Sequence, residues 1–155
     1  MTAKPDAAGR RAARLAAIQA LYQMELAGED AETVAEEFAA WRFGREPEIS
    51  PGELDEAFFG DIVRGVPHRQ GEIDAAVTDC LASDWRLSRV DSILRAILRA
   101  GAFELIARTD VPARVVIDEY VELSFAFFSA DEPGFVNAAL DKLARRARAA
   151  EFGAD

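Results

Sequence analysis

Apolar residues return every three or four positions along most of this chain, and no stretch of useful length alternates them in twos. That spacing lays a single apolar stripe along a helix, whereas a half-buried strand needs the two-residue period. The chain is therefore expected to fold as helices alone. Leu15, Ile18, Leu21, Tyr22 and Leu26 mark a first helix from Gly9 to Leu26, closed by Gly28. A short acidic helix from Ala31 to Trp41 turns Val34, Phe38 and Trp41 inward. Gly44 and Pro47 make residues 43–49 a loop.

Ser50, Pro51 and Glu53 have the order of a capped helix start, and Leu54, Phe58, Ile62 and Val66 form the stripe behind it, up to Pro67. Ile73, Val77, Cys80 and Leu81 carry a helix from Gln70 to Ala82. Ser88 and Asp91 have capping-box spacing ahead of a broad face of Ile93, Leu94, Ile97, Leu98, Gly101 and Leu105. Ala100-Gly101-Ala102 invites close approach by another helix. Asp110 and Pro112 restart the chain for Val116, Tyr120, Leu123 and Phe127; Asp131 and Pro133 open a last helix through Phe135, Val136, Ala139, Leu140 and Leu143. About seven helices with short connectors make an all-α domain, and the 43–52 loop is a candidate divide between two sub-bundles.

At 155 residues the chain is long enough for a real core without staples. Its one cysteine forms no internal disulfide, and with one histidine it builds no His/Cys zinc site. The longest uncharged stretch, Leu15 to Met24, is half of what a membrane span needs. It also lacks a following small-residue cleavage site, so a cytoplasmic protein is expected.

No phosphate-binding glycine loop, nucleophile elbow or HExxH motif is present. Cys80 falls on an apolar stripe and reads as a small core residue. His68 at a helix junction reads as a bystander or cap. Asp118 and Glu122, one turn apart, are either a cation-holding pair or a solvated face. Trp41, Trp85, Phe125, Phe127 and Phe128 read as core or interface. By elimination the chain binds rather than catalyses, and no metal or cofactor is implied.

The net charge of −10 opposes nucleic-acid binding overall, but it is uneven. Residues 1–24 set Lys4, Arg10, Arg11 and Arg14 against Asp6, a net +3; residues 25–91, with 6 basic and 17 acidic residues, carry −11; residues 92–155, with 8 and 10, carry −2. On the helical wheel Arg10, Arg11 and Arg14 share a broad side with Leu15, Ile18 and Tyr22. Arginine is rarely buried unpaired, so this turn is expected to overhang the core with its guanidinium groups exposed beside the tyrosine. Cations next to an aromatic ring suit single-stranded nucleic acid, by phosphate contact and base stacking. The alternatives are a basic helix start, opposed by the helix dipole, and a packed tyrosine.

Arg10-Arg11-x-x-Arg14 followed by Ile18-Gln19-Ala20-Leu21-Tyr22 resembles the opening helix of the bacterial NusB transcription antitermination factors. The resemblance continues through Arg95-Ala96-Ile97-Leu98-Arg99, Phe103-Glu104-Leu105, Asp110-Val111-Pro112 and Ile117-Asp118-Glu119. Val121-Glu122-Leu123, Phe135-Val136-Asn137 and Leu140-Asp141-Lys142-Leu143 complete it, in family order to about residue 147. It implies one NusB-like all-α domain over residues 1–155, built of two small packed helical bundles, taken as about 9–83 and 84–149. It further implies binding to single-stranded boxA RNA of ribosomal RNA leader transcripts. The implied partners are the small-subunit ribosomal protein that acts as NusE and the RNA polymerase elongation complex with other Nus factors. No reaction and no membrane are implied, and a homodimer is left open.

Carried over by position, Arg10, Arg11 and Arg14 match the family's RNA-contacting turn, Tyr22 its helix tyrosine, and Phe135 an aromatic at the RNA surface, with Asp131 in the loop before it. Without the resemblance, Phe135 reads equally as a core anchor. The chain departs from the pattern at Ala12, Phe125, Gly134 and Ala138, and in three extra residues before the Arg95 block; these changes remove positive charge from the expected RNA face. Two other readings stay in view. One is a protein-only helical adaptor or dimerisation module. The other is the NusB-like domain of an RNA methyltransferase, for which the chain has no room beyond Asp155.

Overall fold

The computed structural model describes residues 7–42, 54–82 and 86–153. Among these, all regular structure is helical: α1 (Ala7–Ala27), α2 (Ala31–Glu37), α3 (Glu56–His68), α4 (Gln70–Cys80), α5 (Ser92–Ala107), α6 (Ala113–Ser124) and α7 (Glu132–Ala147). A π-helical turn, Phe38–Arg42, extends α2, and 3-10 turns occupy Leu87–Arg89 and Ala149–Phe152. The all-α expectation thus holds. The Ser50–Glu53 helix start, the 43–49 loop, Trp85 and the side chain of Trp41 lie outside the described residues. Among the described residues, no helix is long and apolar enough to cross a membrane.

The chain separates into two compact units, the first ending at His68 and the second beginning at Arg69. The apolar pattern offered the 43–52 loop as a divide, which lies outside the described residues, and the resemblance put the division near residue 83. The reason for the difference is α4, which packs on α5 and α7. Arg99 of α5 grips Asp74 of α4 through two hydrogen bonds, 2.8 and 3.0 Å, and Arg146 of α7 donates to the Asp79 carbonyl at 3.2 Å. None of these three bonds has a signature in the period of a single helix.

In the first unit α1 packs on α2 and α3, and α2 on α3. Its core joins Ala13, Ala17, Ile18 and Leu21 of α1 to Val34 of α2 and Phe58, Ile62, Val63 and Val66 of α3, with Phe38 stacked on Phe59 at 5.5 Å. Gly28, at φ +69°, closes α1 as expected; a side chain there would strain the left-handed backbone. The cap of α3 is Asp55, whose carboxylate accepts the Phe58 N–H at 2.9 Å. The Asp55 N–H donates in turn to the Gly9 carbonyl at 3.1 Å, joining the start of α3 to that of α1.

In the second unit α5 lies among α4, α6 and α7. The close approach expected at Gly101 is realised: a Cβ there would meet Leu140 at 2.8 Å and Tyr120 at 3.4 Å. Asp91 caps α5 by accepting from the Ile93 and Leu94 N–H groups, and Ser88, its expected capping partner, sits in the preceding 3-10 turn. Two buried polar groups had no reading from sequence. Tyr120 donates its hydroxyl to the carboxylate of Glu104, which has no exposed surface. Arg148, 7% exposed, donates to the carbonyls of Glu104, Leu105, Arg108 and Val111 at 2.6–3.0 Å. These carbonyls lie at the end of α5 and in its loop, where those of Glu104 and Arg108 also accept the Arg108 and Val111 N–H groups, so one guanidinium ties that helix end to its loop. Glu151, held by Arg148 at 2.8 Å, accepts the Ala113 N–H at 2.8 Å and caps α6 from across the fold.

Candidate nucleic-acid interface

The first turns of α1 bring three arginines to the positive end of a helix dipole, an unfavourable place for cations. The structure shows how two of them are accommodated. The Arg10 guanidinium carbon lies 4.6 Å from the centre of the Phe58 ring, and that of Arg14 lies 4.9 Å from the same ring. Arg10 Nε also stands 3.8 Å from the Asp55 carboxylate. The electron-rich ring face and the carboxylate together offset the crowding of charge. Phe58 itself is 2% exposed and is held by the cap that Asp55 gives it. A core phenylalanine of α3 is thus the platform for the basic turn of α1.

The three arginines differ in what they offer a ligand. Arg11 is exposed, Arg10 is half-buried and Arg14 is 2% exposed. The expectation that all three guanidinium groups overhang the core is corrected for Arg14, which is seated inside by Phe58. Tyr22 is half-buried further along α1. Eleven residues separate it from Arg11, which at 100° per residue returns it to within about 20° of the same line, about 16 Å along the helix. Arg11 and Tyr22 therefore present a cation and a ring along one edge of α1.

The other two expected residues belong to the second unit. Asp131 is exposed and occupies the position before α7, with its carbonyl accepting the Phe135 N–H at 3.1 Å and its side chain making no cap. Phe135 is half-buried, one turn into the helix, and Pro133 is buried in the turn between them. The preceding segment carries Phe125, 59% exposed, with Phe127 and Phe128 half-buried. Asp55 and Phe58, which seat the basic turn, are the residues of this candidate site that the sequence reading did not single out. Phe58 was visible only as a member of an apolar stripe, and nothing in that stripe points to α1.

Titration behaviour adds one negative finding. Burial pushes the Cys80 thiol up against the opposing pull of Arg146 and Lys142, which suits a core residue and not a nucleophile. Among the described residues, no group of three or more His, Cys, Asp or Glu side chains is placed to hold a metal ion.

The sequence profile of the NusB family matches residues 11–145. The transcription antitermination protein NusB of Maricaulis maris is 56% identical over 146 residues, covering 92% of this chain and 90% of the relative. That of Caulobacter vibrioides is 53% identical over 140 residues, covering 90% and 94%. In three dimensions the chain is similar to T. maritima NusB, with a TM-score of 0.77 and 28% identity, over 99% of each chain. A chain from the crystal structure of a plectonemic RNA supercoil has the same fold, at a TM-score of 0.75 and 23% identity, over 88% of this chain and 94% of that one.

Proposed function

The chain belongs to the NusB family of transcription antitermination proteins, and on that premise we propose that it binds single-stranded boxA RNA of ribosomal RNA leader transcripts. It does so together with the ribosomal protein that acts as NusE, on the elongating RNA polymerase with other Nus factors, in the cytoplasm. It acts by binding and catalyses no reaction. The observation that supports this reading is the seating of Arg10 and Arg14 on Phe58 beside an exposed Arg11. Immobilising the base of the turn lowers the ordering cost of presenting charge to a phosphate.

In this reading Arg11 and the outer edge of Arg10 meet phosphates, Arg14 holds the turn, and Tyr22 stacks on a base. Phe135 stacks on a base in the second unit and Asp131 borders it. Few phosphate contacts and a net charge of −10 make unaided binding weak and its salt dependence shallow. The basic ribosomal protein then supplies charge that this chain lacks.

The test is fluorescence anisotropy of labelled boxA RNA against a scrambled RNA, with and without the NusE protein. Preference for boxA that sharpens with the partner is the expected result. Equal affinity for both RNAs in both conditions overturns the reading and leaves a protein-only helical adaptor.

A further inference from the structure

We propose that the outer face of α6 is a docking surface for a basic amphipathic helix of another polypeptide. Val115, Asp118, Glu122 and Phe125 are all exposed. Phe125 closes the helix in right-handed helical geometry, at φ −65° and ψ −21°, so it keeps the register of α6. At 100° per residue these four side chains fall within an arc of about 80°, and the two apolar ends stand about 15 Å apart. The opposite side of α6, with Val116, Tyr120 and Leu123, is buried against the unit's own core.

Each feature of this stripe is unfavourable in the free chain. Val115 and Phe125 are 43% and 59% exposed, and Phe is a residue type that is usually buried. Asp118 and Glu122 are like charges one helical turn apart, which destabilises a helix. Among the described residues neither carboxylate forms an ion pair. No lysine or arginine occurs between Val115 and Asp141, while Asp118, Glu119, Glu122, Asp131, Glu132 and Asp141 do. The neighbouring Arg114 is turned to the Phe152 ring, 5.2 Å away.

The charge pattern selects the occupant. Phosphate is repelled, which excludes nucleic acid and anionic lipid. A second copy of the same face would set carboxylate against carboxylate. A helix with two lysines or arginines one turn apart, bracketed by apolar residues, satisfies all four positions at once. The intervals of three, four and three residues read the same in both directions, so the partner helix docks parallel or antiparallel. This proposal does not rest on the RNA reading, and its test contains no RNA in the primary arm.

The probe is a fluorescein-labelled peptide of about 18 residues, near the length at which isolated helices become stable. It carries Leu, Lys, Lys and Leu at the matching intervals in an alanine and glutamine background. A control peptide has Glu in place of Lys. Saturable binding of the lysine peptide to the full chain is expected, weakened about tenfold or more by Asp118→Lys with Glu122→Lys, or by Phe125→Ser. The glutamate peptide is expected to bind the doubly reversed variant in preference to the original chain. All these positions are exposed, and thermal melts confirm that the variants stay folded.

Binding of the lysine peptide that survives both variants, or no saturable binding, overturns the proposal. So does a dimer of the original chain that Phe125→Ser dissociates in sedimentation, because the face then serves a second copy. Loss of single-stranded RNA affinity in Phe125→Ser with peptide binding intact overturns it as well, in favour of nucleic acid.

Discussion

The guanidinium of Arg14 lies 4.9 Å from the centre of the Phe58 ring, and its residue is 2% exposed. An arginine that the sequence offers as a ligand contact is therefore part of the protein interior. It shares its aromatic platform with Arg10, so the two guanidinium groups are coupled through one ring.

Replacing that ring tests the coupling. Phe58→Leu preserves apolar bulk but removes the aromatic face, and is expected to cost about 1–2 kcal/mol of stability. Urea unfolding measures the loss. RNA affinity is expected to fall at the same time, because the basic turn loses its seat. Unchanged RNA affinity in a destabilised but folded variant would separate the platform from binding.

Arg11 and Arg14 should respond in opposite ways. Arg11→Ala, at an exposed site, is expected to change stability by no more than about 0.5 kcal/mol. Its effect should appear in RNA binding, as a flattening of the log-affinity against log-salt slope by about 0.7. Arg14→Ala is expected to lower the melting temperature first. If Arg11→Ala leaves the salt slope untouched, Arg11 does not meet a phosphate.

Gly101 tests the close approach of α5 to its neighbours. A methyl group there would stand 2.8 Å from Leu140 Cδ1, inside normal contact distance, and 3.4 Å from Tyr120 Cδ2. Gly101→Ala is expected to destabilise by about 1–3 kcal/mol despite alanine's better helix propensity. A melting temperature equal to or above that of the original chain would show that Leu140 moves aside freely.

The Glu151 cap has a pH signature. Its carboxyl is held below the ordinary value of 4.5, first by the Ala113 N–H and then by Arg148. A carboxyl depressed in the folded state stabilises above its unfolded pKa, and that contribution is lost as pH falls through the folded value. Glu151→Gln should therefore be less stable than the original chain at pH 7, with the difference shrinking as the pH drops below about 4.5. A gap that stays constant into acid would locate the effect in packing.

The amino-acid sequence by itself determined the helical class, because apolar spacing reports directly on local geometry. Gly28 was legible as a stop, since a left-handed turn there excludes most other residues, and Gly101 was legible as a point of close packing. The basic turn at Arg10, Arg11 and Arg14 was legible as a cluster, because three residues on one turn need no tertiary contact to be neighbours. Only the tertiary structure decided which of those arginines faces solvent, because Phe58 reaches them from another helix. It also decided that α4 belongs with the second unit, through Asp74 and Asp79, that Arg148 ties the end of α5 to its loop, and that Glu151 caps α6. Each of these is a contact between residues far apart in the chain, and a period measured along one helix carries no record of what packs against it.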